Sequence, residues 1–228
     1  MTQAMKPSYL LIDLSNYAGL LPCLMAIYSR RFLNRAQVIF GIDIWVGTSF
    51  GILSVILAQQ RINNLFIYPI LAVVNSITVG LFFAELAKST WLKCTIRVAF
   101  VGYTGIVLLM GFGQLALFAN LELFTFIDFA VTGLALFFLA KLIRRSQKLA
   151  QKPLFWLLLA LFLGSLYDIA STQLGTLLDH YGGARWKDML WLQINPVVTM
   201  IKLAVITYGF YLTRFQLVKA EKLPQFRI

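Results

Sequence analysis

The chain has 228 residues, of which 60% are hydrophobic and 13% are charged, and its mean hydropathy is +0.79. This composition excludes an ordinary soluble domain, in which about 25% of the residues are charged. The formal net charge is +11, but the basic residues are divided among short loops and form no basic domain. The sequence therefore predicts no binding to nucleic acid.

Seven apolar segments predict seven transmembrane helices, because roughly 20 apolar residues cross a hydrocarbon core about 30 Å thick. In chain order the segments are Leu10–Tyr28, Val38–Ala58, Leu65–Leu86, Val98–Phe118, Leu121–Ala140, Leu154–Leu174 and Leu190–Leu212. The links between them are too short to hold a soluble domain. We therefore expect an all-α fold in which residues 1–228 form one transmembrane domain, a seven-helix bundle in the lipid bilayer.

Basic residues are concentrated in alternate loops. Those that follow the first, third, fifth and seventh segments are Arg30, Arg31, Arg35, Lys88, Lys93, Arg97, Lys141, Arg144, Arg145, Lys148, Lys152, Arg214, Lys219, Lys222 and Arg227. The other side holds Lys6, Arg61, Arg185 and Lys187. By the positive-inside rule, this asymmetry predicts that the N-terminus lies outside and the C-terminus in the cytoplasm.

Lys202 lies near the middle of the last segment. An ammonium group at that depth is costly unless it is paired, so an intramembrane lysine is a functional-site hypothesis by default. Asp168 and Asp128 are the carboxylates nearest to it in depth, and Asp168 is the preferred partner because the sixth and seventh segments share one loop. By contrast, Asp43 and Glu85 fall near cytoplasmic ends, where pairing with residues such as Arg35 is expected.

Polar and aromatic residues repeat at helical spacing on the seventh segment. Trp191, Asn195 and Lys202 are four and seven residues apart, which predicts one stripe on the seventh helix. We expect the polar groups to line a cavity that opens to the outside and is floored by Lys202. The pocket candidates are Lys202, Asp168, Asp128, Asn75, Asn195, Thr199, Tyr68, Trp191 and Ser165. The alternative is a structural Lys–Asp clasp without a ligand, because polar contacts between transmembrane helices are common.

No catalytic motif is present in the sequence. It has no nucleotide-binding glycine loop, no paired-histidine metal motif and no nucleophile elbow. His180 is the only histidine, and it is not accompanied by the further ligands that a metal site normally needs. We therefore expect neither enzymatic activity nor a metal site.

A lysine on a seventh helix raises the alternative of retinal bound as a Schiff base. The surroundings differ from the microbial rhodopsin pattern, since Val198 stands four residues before the lysine in place of a carboxylate. The third segment has Asn75 and lacks the arginine–aromatic–carboxylate cluster of those proteins. Retinal at Lys202 is therefore a minority alternative, and we expect no cofactor.

Four short motifs resemble a widespread group of small, functionally uncharacterised bacterial seven-helix membrane proteins. They are Tyr28-Ser-Arg-Arg-Phe-Leu-Asn-Arg35, Asn63-Asn-Leu-Phe-Ile-Tyr68, Pro153-Leu-Phe-Trp156 and Trp191-Leu-Gln-Ile-Asn195. Val74-Asn75-Ser76 departs from that group, which often has an acidic–aromatic pair there. The resemblance implies a multi-pass protein of a bacterial inner membrane, and it transfers no catalytic residues.

The leading hypothesis for function is a small-molecule sensor or receptor-like module. A polar pocket in a seven-helix bundle could bind an external ligand, and the basic loops, chiefly Lys141–Lys152, would contact a cytoplasmic signalling partner. A transporter or permease is the first alternative, although the sequence shows no convincing internal repeat. A structural subunit of a membrane complex is the other.

Overall fold

The computed structural model of the chain describes residues 7–64, 66–113, 121–145, 148–181 and 183–221. Within these ranges the chain is helical and contains no strand. Seven helical segments are long and apolar enough to cross a membrane. The predicted all-α fold and the predicted number of spans are therefore confirmed.

In the described part of the chain, nine α-helices make up the seven spans. They are α1 (Pro7–Ala18), α2 (Leu20–Ser29), α3 (Arg35–Gln59), α4 (Ile67–Leu86), α5 (Thr90–Gly113), α6 (Leu121–Ile143), α7 (Pro153–His180), α8 (Ala184–Met189) and α9 (Asn195–Glu221). The first span consists of α1 and α2, and the last consists of α8, the π-helical segment Leu190–Ile194 and α9.

Helices α3 and α5 begin earlier than the hydropathy predicts. For α3, expected from Val38, a capping box closes the first turn: Gln37 N–H donates to the Asn34 side chain and Asn34 N–H donates to the Gln37 side chain. For α5, expected from Val98, the first two turns carry Lys93 and Arg97. A hydropathy scale misses these turns because it gives charged residues unfavourable values. Long basic side chains are nevertheless tolerated at the ends of a span, since their charged groups can reach water.

Most of the basic residues of the described chain lie at one end of the bundle, called here the basic end. There Glu85 of α4 lies 3.4 Å from Arg97 and 3.8 Å from Arg35. The pairing of Glu85 with Arg35 is therefore confirmed.

The bundle is a ring of six spans with the fourth span outside it. Helix α5 packs on α4, where Gly80 leaves room for the Phe100 ring and the hydroxyls of Ser76 and Thr104 are hydrogen-bonded. The remaining spans contact one another around the ring: α2 with α3, α3 with α4, α4 with α6, α6 with α7, and α7 and α2 with α9. This arrangement leaves space at the centre of the ring.

An aromatic cluster fills the ring near the basic end. It consists of Phe40, Phe82, Phe83, Phe138 and Phe210, each no more than 5% exposed. Successive ring centroids are 5.2–6.3 Å apart, within the range of favourable aromatic pairs. These five side chains come from α3, α4, α6 and α9, so the cluster joins four spans in one apolar core.

Candidate functional site

A cavity of about 900 Å³ lies at the centre of the ring. All six spans of the ring line it, and none of the described α5 residues does. Its size falls within the range of roughly 300–1,000 Å³ that is typical of small-molecule sites. About half of the lining residues are aliphatic, and eleven carry polar or charged side chains, which is more than the few polar groups of a typical small-molecule site.

Lys202 lies on the cavity wall and is held against α7. A Cβ atom at Gly164 would stand 2.7 Å from Lys202 Cε, so the absence of a side chain there makes a groove for the lysine stem. The ammonium Nζ lies 3.9 Å from Asp168 Oδ2. Asp168 is four residues after Gly164 and thus on the same helix face. The predicted Lys202–Asp168 pair is present.

The ion pair is accessible. The Lys202 side chain is 34% exposed and that of Asp168 is 46% exposed. A separation of 3.9 Å is too long for a direct hydrogen bond, so water or a ligand group can reach both charges. The exposure favours a ligand-binding role, and the structural Lys–Asp clasp without a ligand stays the alternative.

The predicted position of Asp43 near the cytoplasmic end of its helix is wrong. It lines the cavity, and its carboxylate accepts a hydrogen bond from the Thr78 hydroxyl of α4. Because α3 begins at Arg35, Asp43 lies about 12 Å along the helix from its start. This places it inside the membrane span and away from the membrane boundary. The Asn34–Gln37 capping pattern was the signal that could have shown this.

Several predicted pocket residues do meet at the cavity. Asp128 of α6 lines it and interacts electrostatically with both Lys202 and Asp168. Asn75, Thr199 and Ser165 also line it, although the Ser165 hydroxyl donates to the Leu161 carbonyl of its own helix at 2.7 Å. Residues that the sequence analysis did not single out, among them Ser15, Asn16, Thr48, Phe40 and Tyr167, complete the wall.

The expected stripe on the seventh helix is not continuous. Trp191 falls in the π-helical segment, where the wider i→i+5 turn changes the direction of side chains relative to α9. Its indole packs instead against Gly175 of α7, where a Cβ would be 3.3 Å away. Asn195 lies roughly 10 Å along the axis from Lys202 and outside the cavity lining. The Tyr68 side chain lies outside the described residues.

The aromatic cluster closes the cavity toward the basic end. Phe40 and Ile206 belong to both the core and the cavity lining. Phe40 stands one turn before Asp43 and packs against Phe82 and Phe210. The charged part of the cavity is thus separated from the basic end by tightly packed rings, which oppose the passage of water and ions.

The described residues contain no group of three or more His, Cys, Asp or Glu side chains that could hold a metal ion. Comparisons with protein-family models, with curated proteins and with solved structures found no match. The resemblance to the bacterial seven-helix group therefore stays a prediction. The chemistry of the site follows from its own residues, namely one ammonium, three carboxylates, and a wall of aliphatic and neutral polar side chains.

Proposed function

We propose that this protein is a small-molecule sensor or receptor-like module of a bacterial inner membrane. A ligand enters the central cavity, contacts Lys202 and Asp168, and changes the packing of the spans that hold them. The supporting observation is the accessible ion pair in a cavity of about 900 Å³ that is closed at the basic end. A one-sided cavity is what a receptor for an external ligand requires.

The orientation follows from the basic end. With that end in the cytoplasm, as the positive-inside rule indicates, the N-terminus lies outside and the cavity is reached from the outer side. The signalling partner then contacts the exposed basic side chains at the cytoplasmic end, such as Arg144 and Lys148. Ligand binding is transmitted through α7 and α9, because these helices carry the ion pair and reach that end.

A chemical-accessibility experiment tests this proposal. Thr199→Cys places a thiol on the cavity wall, in a background with Cys94→Ser, while the fully buried Cys23 is kept. A small membrane-impermeant methanethiosulfonate reagent is added to intact cells or to inverted membrane vesicles. We expect labelling in cells and none in inverted vesicles. Lys148→Cys at the basic end is the matched control, and it should show the opposite pattern.

The result also separates the alternatives. A transporter alternates its access, so Thr199→Cys would be labelled from both sides, and the receptor proposal would be rejected in favour of transport. Labelling from neither side would contradict an accessible cavity and would favour a structural role in a membrane complex.

A further inference from the structure

The charge balance of the cavity is unequal. Its described lining holds three carboxylates, those of Asp43, Asp128 and Asp168, and one ammonium, that of Lys202. When all four groups are ionised, the formal balance is −2. Among the described carboxylates, Lys202 lies within ion-pair distance of Asp168, and it acts on Asp43 and Asp128 only at longer range.

Asp43 and Asp128 form no ion pair with a described cation. Asp43 accepts the Thr78 hydroxyl, a neutral group, and interacts with Lys202 only at longer range. Asp128 forms no ion pair with the described side chains and stands near the like charge of Asp168. Uncompensated carboxylates at this depth are costly, so the cavity is electrostatically suited to receive positive charge.

The walls indicate what kind of cation fits. The described carboxylates do not form a cluster that could hold a metal ion, and the volume of about 900 Å³ far exceeds that of a bare ion. The remaining lining is largely aliphatic, with the aromatic rings of Phe40 and Tyr167. An apolar wall covers the body of an organic molecule, and aromatic rings attract a cationic nitrogen.

We infer that the cavity binds a small organic cation, an amine with an apolar body, whose positive charge is attracted by the carboxylates of Asp43 and Asp128. This inference rests on the proposed ligand-binding function and specifies the class of ligand. Lys202 and Asp168 then contact the ligand as neighbouring groups, and Lys202 does not supply its counter-charge. The opposite assignment, an anionic ligand held by Lys202, predicts the reverse response to every charge change in the cavity.

Three probes with the same ring and different charge test the ligand class. Benzylammonium, benzyl alcohol and benzoate are each added to the purified full chain in neutral detergent at matched ionic strength. Unfolding is followed by tryptophan fluorescence and binding by calorimetry. We expect benzylammonium to raise the Tm and to bind, because only the cation gains from the surplus carboxylates, while the other two probes leave the Tm unchanged.

Charge variants then locate the binding site. Asp128→Asn should weaken benzylammonium binding by about tenfold, and Asp43→Asn should do the same. Lys202→Met should tighten it, because the cavity becomes more negative. Asp188→Asn, on exposed α8 and with the same change in total charge, is the matched control and should leave the affinity unchanged. Folding of each variant is checked by size-exclusion chromatography.

Each contrary result would overturn a different part of the proposal. Binding of benzoate alone, lost in Lys202→Met, would overturn the cation assignment and retain the ligand-binding cavity. Benzylammonium binding that is unaffected by both Asp128→Asn and Asp43→Asn would overturn the site. Binding of none of the three probes would overturn the cation inference, whereas the proposed function is decided separately by the labelling of Thr199→Cys.

Discussion

The environment of Lys202 determines how strongly its ion pair stabilises the protein. A fully buried pair costs about 3–5 kcal/mol when one partner is removed, whereas an exposed pair contributes roughly 0–1 kcal/mol. The two side chains are 34% and 46% exposed, and the charged groups are 3.9 Å apart. The contribution of the Lys202–Asp168 pair to stability is therefore expected between these two limits. Its contribution is therefore smaller than mid-membrane depth alone implies.

A double-mutant cycle measures this contribution. We expect Lys202→Met and Asp168→Asn each to lower the free energy of unfolding by about 1–2 kcal/mol, and the double variant to lose less than the sum. The measurement is reversible unfolding in detergent micelles. Strictly additive losses would show that the two side chains do not interact, and Asp128 would then be tested as the partner.

Retinal addition tests the chromophore alternative at the same residue. A retinal Schiff base needs an enclosed aromatic pocket, but Phe40 and Tyr167 are the only aromatic residues in the described cavity lining. We therefore expect purified protein to develop no visible absorption band when retinal is added. A band that Lys202→Ala abolishes would reverse this assignment.

Glycines decide how closely the helices approach one another. A Cβ at Gly80 would lie 2.6 Å from Cβ and Cγ of Phe100, atoms close to the α5 backbone that cannot move without shifting the helix. At Gly164 the neighbour is the flexible end of Lys202. The first glycine therefore fixes the position of the outer span, and the second fixes the position of a functional side chain.

Alanine substitutions on the packed helices test this distinction. Gly80→Ala should destabilise the protein by about 1–3 kcal/mol, the usual cost of overpacking. Gly102→Ala on α5, whose Cβ would meet nothing within 4 Å, should change stability by less than about 0.5 kcal/mol. Thermal unfolding in detergent compares the two variants. Equal losses would mean that the α4–α5 contact is looser than the structure indicates.

At the scale of the whole molecule, the charge asymmetry predicts the topology. A reporter fused after Ile228 should be active only when it reports a cytoplasmic location, and one inserted at Gly182 only when it reports an external one. Alkaline phosphatase and green fluorescent protein fusions provide the two readouts. Reversed activity at either site would contradict the proposed orientation.

Hydropathy and charge determined the class of this protein from its sequence. Seven apolar stretches specify seven spans, since each helix must satisfy its own backbone polar groups in lipid. The preferred pairing of Lys202 with Asp168 also followed from the sequence. The position of a residue along its helix gives its depth in the membrane, and a charge in the middle of a span can pair only with residues at a similar depth.

The tertiary structure decided which of the predicted polar residues share the cavity and which do not. The depth of Asp43 in α3 could be derived from the capping box, but its contact with Thr78 depends on how α3 and α4 pack. The direction of Trp191 depended on the π-helical segment, which interrupts the spacing that a uniform helix would keep. The exclusion of α5 from the ring depended on contacts between distant segments, such as Gly80 with Phe100. Periodicity describes one helix at a time, whereas the cavity is formed where six spans meet.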